Sequence, residues 1–105
     1  MFAGRISRFV EALPAGIDAS ASGLAGIGSA VAAGNAAGAA PTLGVVPPAP
    51  EPASVLLAAA FGTHAGVYQA TQAIGSVIHA MFVSTMGASS ADYAATEAIN
   101  TVAMV

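Results

Sequence analysis

Large apolar residues along this chain fall into two long, mostly proline-free stretches separated by a proline-dense one. From Pro14 to about Ala40 the sequence is mostly alanine and glycine, with Ile17, Leu24, Ile27 and Val31 spaced by seven, three and four. That spacing makes a narrow helical seam of the heptad type. Residues 41–52 read PTLGVVPPAPEP, too rich in proline for either helix or central strand. From Ala53 to about Met86 no proline occurs. There Leu57, Phe61, His64, Tyr68, Gly75, Ile78 and Phe82 follow one four-three rhythm. Leu56, Ala60, Val67, Ile74, Val77 and Met81 form a second stripe beside it. Neither stretch alternates strictly, and alanine favours helix over strand. The expected fold is therefore all-α: an antiparallel hairpin of two helices, about 14–40 and 52–86, joined by a proline-rich loop.

Pro14 and Pro52 suit the first position of each helix, and an acidic Glu51 suits the second helix's positive end. Pro41 should end the first helix, and Gly87 the second. The glycines at 16, 23, 26, 28, 34 and 38 each cost about 1 kcal/mol of helix propensity relative to alanine. That cost is understandable if another helix must approach closely, and Gly34 and Gly38 form a G-x-x-x-G pair of the kind found at such contacts. A helix in a simple hairpin needs one apolar stripe, but the second helix has two. A further helical partner from another protein, completing a four-helix bundle, is the expected solution.

Composition strengthens this expectation. Of the 105 residues 56% are hydrophobic but only 6% aromatic, so the apolar content is largely alanine, which buries little area per side chain. A chain this short also buries a small share of its surface. By itself it should be marginally stable, and a partner or a membrane should supply the missing burial. Only 7% of residues are charged, and the net charge is −3. No basic patch suggests nucleic acid. The chain has no cysteine, so it offers neither disulfides nor thiolate ligands. The start MFAGRISRFV is interrupted by Glu11, Pro14 and Asp18 before any apolar run of signal-peptide length, which argues against a cleaved secretory signal.

Little in the chain could carry chemistry. His64 and His79 lie about four helical turns apart and cannot share a metal. No nucleophile–base pair, phosphate loop or metal spacing occurs, so no catalytic residue, metal site or cofactor is expected. His64 reads most simply as an interface histidine, with a pH-sensitive contact as the sharper alternative. Tyr68 and Gln69 suit hydrogen bonding across a helix interface. Tyr93 and Glu97 share a face if residues 91–100 are helical. By spacing alone they are a chance pair on a solvated last turn.

The stretch LAGIGSAVAAGNAAGAAPT (24–42) strongly resembles the PE domain of the mycobacterial PE family. So do FGTHAGVYQATQ (61–72), the His79-Ala80-Met81-Phe82-Val83 step and YAATEAIN (93–100). The resemblance runs in register from Phe9 to Asn100. Phe9 and Val10 fall on the family's near-N-terminal Phe-Val, and Pro14 on the proline of its Pro-Glu signature. The glutamate of that signature is replaced by Ala15. The chain also starts six residues upstream of the family's usual methionine position, here Ser7.

The resemblance implies a hairpin that pairs with a PPE-family protein in a four-helix bundle and is exported through a type VII secretion system. A cytosolic chaperone would act indirectly, through the PPE partner. The family's Y-x-x-x-[DE] export signal matches Tyr93 and Glu97. The implied product is a non-enzymatic heterodimer subunit, cytoplasmic before export and secreted or on the cell surface after it. Peripheral association with the cell envelope and a part in host interaction or virulence would be compatible. Residues 1–100 are expected to form the PE-like domain, with an N-terminal extension 1–8, a secretion-motif tail 87–100 and a short end 101–105. The chain is expected to be the module alone. The interface should use Ile17, Leu24, Ile27, Val31, Leu57, Phe61, His64, Tyr68, Ile78 and Phe82, facing the hairpin or the partner. The alternative is a small membrane-embedded hairpin, since no charge lies between Asp18 and Glu51 or between Glu51 and Asp92. Against it stand the many small and polar residues and the lack of an aromatic belt or basic flank.

Overall fold

The computed structural model describes residues 12–103. Two helices pack against each other as a hairpin: α1, Pro14–Leu43, and α2, Pro52–Ala103. No strand occurs among the described residues. Phe9, Val10 and the expected extension 1–8 lie outside them.

Both helices open on proline. Leu13 precedes α1, and its carbonyl accepts from the backbone N–H of Gly16 at 2.9 Å and of Ile17 at 3.1 Å. Pro14 has no N–H to leave unsatisfied in that first turn. Glu51 plays the corresponding part for α2. Its carbonyl accepts from the N–H of Val55 at 3.1 Å, and its carboxylate accepts from the Ser54 hydroxyl at 3.3 Å.

Both helices also outrun their expected ends. α1 contains Pro41 and continues to Leu43. A proline removes one ladder bond, but in a last turn few bonds remain to lose. The Thr42 hydroxyl donates to the Gly38 carbonyl at 2.6 Å, and the Gly44 N–H reaches the Ala40 carbonyl at 3.0 Å. These bonds tie down the end of the helix. α2 runs straight through Gly87 to Ala103. One glycine costs about 1 kcal/mol against alanine and stops nothing unless a chain-reversing residue follows. Here ASSADYAATEAINTVA follows, without proline or glycine. Residues 87–100, expected as a tail beyond the helix, are part of it.

The chain divides into two compact regions. A loop-end region comprises Gly28–His79, and a terminal region comprises the residues through Ile27 together with those from Ala80 on. In the loop-end region α1 and α2 meet through small residues. Ala58 and Ala65 are buried, as is Ser54. A Cβ built on Gly28 would stand 2.8 Å from Cδ2 of His79, so the imidazole lies directly over that glycine. A Cβ on Gly62 would stand 3.3 Å from the Leu43 carbonyl oxygen. At both positions the absent side chain is what permits the approach. The other glycines of α1 do not share this role: Gly23, Gly26, Gly34 and Gly38 face open space. In the terminal region Ala21, Ser90 and Glu97 are buried. The Ser90 hydroxyl donates to the Pro14 carbonyl at 2.9 Å, fixing the start of α1 against α2.

Candidate interaction surface

Alanine and serine can fill the space between two close helices, but leucine and phenylalanine cannot. The larger apolar side chains are therefore displaced from the contact. Of the seam residues on α1, Ile17 and Leu24 are half-buried, while Ile27 and Val31 are 57% and 53% exposed. On α2, Leu57, Phe61, Tyr68, Ile78 and Phe82 are each at least half exposed, and His64 is exposed. The neighbouring stripe behaves alike, with Leu56, Val67, Ile74, Val77 and Met81 all exposed. Of the first stripe, Tyr68 reaches α1 through its hydroxyl. The hairpin contact uses a third stripe of small and polar residues, among them Ala58, Ala65, Gln69, Gln72 and His79.

Within the loop-end region one polar cluster spans the two helices. Asn35 is its hub. The Tyr68 hydroxyl donates to Asn35 Oδ1, and Gln69 Nε2 donates to the Asn35 backbone carbonyl at 3.2 Å. Asn35 Nδ2 donates to Gln72 Oε1 at 3.1 Å, and Gln72 Nε2 donates to Gln69 Oε1 at 3.2 Å. Every amide in the cluster thus has a partner, which a half-buried polar group requires. Tyr68 and Gln69 do bond across the helix contact, as their types suggested. Asn35 and Gln72 were not singled out by periodicity. The available signal was the lone amide of α1 within GNAAG, opposite two glutamines three residues apart.

The cluster borders a groove of about 420 Å³, lined among others by Gly34, Gly38, Phe61, His64, Ala65 and Tyr68. The G-x-x-x-G pair therefore opens onto this groove instead of packing directly against a side chain of α2. The terminal region has a groove of about 440 Å³, lined by Ala12, Leu13, Gly16, Ile17, Ser20, Met86 and Tyr93.

The Tyr93–Glu97 pair lies on ordered helix, with contrasting surroundings. Tyr93 is 42% exposed on the rim of the terminal groove. Glu97 is 1% exposed, and neither of its carboxylate oxygens has a hydrogen-bond partner among the described residues. The solvated last turn that spacing alone suggested does not describe Glu97. Among the described residues no cluster of three His, Cys, Asp or Glu could hold a metal ion. No helix of the described residues is long and apolar enough to cross a membrane, which disfavours the membrane-embedded hairpin.

Three relatives place these features. The chain is 48% identical over 95 residues to PE family protein PE13 of Mycobacterium tuberculosis, covering 90% of this chain and 96% of that protein. It is 41% identical over 95 residues to PE family protein PE8 of the same organism, again over 90% of this chain but only 34% of PE8. It is 45% identical over 96 residues to the M. tuberculosis PE-PGRS family protein PE_PGRS34, covering 91% of this chain and 19% of that protein. The chain thus matches nearly the whole of one relative and a minor part of the other two. The pattern that defines the PE family matches residues 10–100, spanning both helices and the Tyr93–Glu97 pair. By that match, and by its identity to PE13 over nearly the whole of both chains, this protein belongs to the PE family.

Proposed function

We propose that this chain is a non-enzymatic subunit that pairs with a PPE-family protein and leaves the cell as that pair through a type VII secretion system. The observation that carries the reading is the bare apolar face. On α2 alone Leu56, Leu57, Phe61, Val67, Ile74, Val77, Ile78, Met81 and Phe82 are each more than half exposed. Contiguous apolar surface on this scale marks an interaction site in a soluble protein. A helical pair laid along both helices would cover it in the geometry of a four-helix bundle. The groove over Gly34 and Gly38 would admit large side chains of such a partner. A dedicated chaperone would then contact the partner rather than this chain, and cell-envelope association would follow export.

Co-expression with candidate PPE-family proteins, followed by size-exclusion chromatography, tests the pairing. The expected result is a one-to-one complex and a chain that is only marginally stable without it. A chain as stable alone as in the complex would count against the reading.

In this reading Tyr93 and Glu97 form the export address. Tyr93 is 42% exposed, whereas Glu97 is buried. Tyr93→Ala and Glu97→Ala should each keep the partner in pull-downs and abolish export into culture medium. Loss of the complex in either variant would make these residues structural instead.

A further inference from the structure

We propose that the second stripe of α2 binds the same stripe of a second copy of this chain, with the two α2 helices antiparallel. This leaves the first stripe and the groove beside it to the PPE-family partner, and its first test does not depend on that pairing.

The two stripes point in different directions. From α2 the groove over Gly34 and Gly38 is lined by Phe61, His64, Ala65, Tyr68 and Gln69, none of them in the second stripe. With about 3.6 residues per turn, the second stripe lies roughly a quarter turn round α2 from the first, and roughly opposite the buried Ala58 and Ala65. The exposures agree. Leu56, Val67, Ile74, Val77 and Met81 are 60–71% exposed, against 50–61% for Leu57, Phe61, Tyr68, Ile78 and Phe82. A partner seated along the groove meets the first stripe and leaves the second bare.

Spacing and size show what fits the second stripe. From Leu56 to Met81 it advances by four and three residues in alternation, which is the seam of a coiled coil. All but its last position belong to the loop-end region, and α2 runs unbroken to that last one. A two-fold contact needs a patch that complements itself. Turned antiparallel on a copy about a centre between residues 68 and 69, the seam sets Ala60 against Val77, Thr63 against Ile74 and Ala70 against Val67. Each small residue meets a larger branched one, and Leu56 against Met81 closes both ends. Sliding by a heptad leaves Leu56 or Met81 outside the seam. The Thr63 hydroxyl already donates to the Ala59 carbonyl at 2.9 Å, so its burial strands no donor.

Charge selects the direction. The stripe carries no charge, and the nearest acids along the chain are Glu51 and Asp92. In a parallel pair each acid would face its own copy, which is unfavourable. In the antiparallel pair Glu51 lies beside the uncharged Met86, and Asp92 beside the loop. A lipid surface fits less well, because residues 12–103 contain no lysine or arginine to meet headgroups. Five large side chains of this exposure offer on the order of 500 Å² per copy, short of the roughly 800 Å² of a standard interface. The contact is therefore a transient one, with a Kd on the order of 10–100 μM.

The chain has no cysteine, so an introduced one reports only its own surroundings. Full-length Ala60→Cys and Val77→Cys chains are mixed in equal amounts above that Kd and mildly oxidised, and the links are read by mass spectrometry. Links between the two variants should exceed those within either by at least about fivefold, because like positions lie about 25 Å apart and a disulfide needs Cα atoms within about 7 Å. Links in the proportions of random collision, or mostly within each variant, would overturn the proposal. Ala70 is exposed and lies near the two-fold axis. Ala70→Glu, which sets two carboxylates there, should abolish the link while keeping helix content by circular dichroism and the one-to-one pairing with a PPE-family protein. Phe61→Ala should keep the link. A link that survives Ala70→Glu would overturn the proposal. Loss of the link on adding phosphatidylcholine vesicles would assign the stripe to lipid, and loss on adding the PPE-family partner would assign it to the pairing face; either overturns the contact between copies. A chain that keeps the link but pairs with no PPE-family protein would sink the pairing alone.

Discussion

The two regions of this molecule treat their polar groups in opposite ways. In the loop-end region Asn35, Tyr68, Gln69 and Gln72 are bonded to one another, while the large apolar residues around them are bare. Among the described residues of the terminal region the most deeply buried side chain is a carboxylate, and neither of its oxygens has a hydrogen-bond partner there. A satisfied polar cluster specifies how two helices of nearly featureless composition align. A buried carboxylate with no donor among the described residues destabilises the region that holds it. The difference separates polar groups that hold the hairpin from one that costs it stability.

The sharpest way to test the bare face is Phe61→Ala. Phe61 is 56% exposed, so the change should leave the hairpin's own melting within about 0.5 kcal/mol, as is usual for surface substitutions. If a partner buries the ring fully, the same change should weaken the complex by about 3–5 kcal/mol in a calorimetric titration. A large loss in the hairpin with none in the complex would reverse the roles assigned to the two faces.

Next in size is Asn35→Ala, which leaves Tyr68 and Gln72 each short of a partner while Gln69 keeps its bond to the backbone carbonyl. Their partial exposure lets water replace some bonds, so about 1–3 kcal/mol should be lost on chemical denaturation. A smaller loss belongs to Ser90→Ala, which removes one bond to the Pro14 carbonyl, worth about 1 kcal/mol. An effect of Ser90→Ala exceeding that of Asn35→Ala would mean that the terminal region, not the polar cluster, sets the alignment.

The smallest effects should come from glycine, and with opposite signs. Gly38→Ala meets open space and should stabilise the hairpin by something under about 1 kcal/mol through helix propensity. Gly28→Ala drives a methyl group against the His79 ring and should lose that gain. In a His79→Ala background Gly28→Ala should stabilise as Gly38→Ala does. Thermal melts of the four variants would show whether the ring is the obstacle.

Much of the architecture was legible because prolines and alanines are blunt signals. Pro14 and Pro52 mark helix starts that need no tertiary information, and the proline-dense 41–52 stretch marks the reversal. Helix ends were less legible, since Pro41 and Gly87 break a helix only when the surrounding bonds do not compensate. The surface was legible in part. Period and size identified Phe61, Tyr68 and Ile78 as residues wanting burial, but not that the hairpin would decline to bury them. That outcome depends on how closely the backbones approach, which is set by Ala58, Ala65 and Gly28, residues with little hydropathic weight. Asn35 was hidden for a related reason: a single amide has no periodicity, and its importance lies in what stands opposite. The burial of Glu97 was illegible, because spacing reports which face a residue occupies and not how far the chain folds over that face.

The bare apolar face also makes dosage a structural parameter. A side chain such as Phe61 or Phe82 is more than half exposed in the hairpin, so on the proposed reading each copy made in excess of its partner would be a sticky surface. On the proposed reading, the cell must make the two proteins in near-equal number and at nearly the same time. Surplus copies would be removed by aggregation or proteolysis, and the supply of partner would cap the amount of this protein that accumulates.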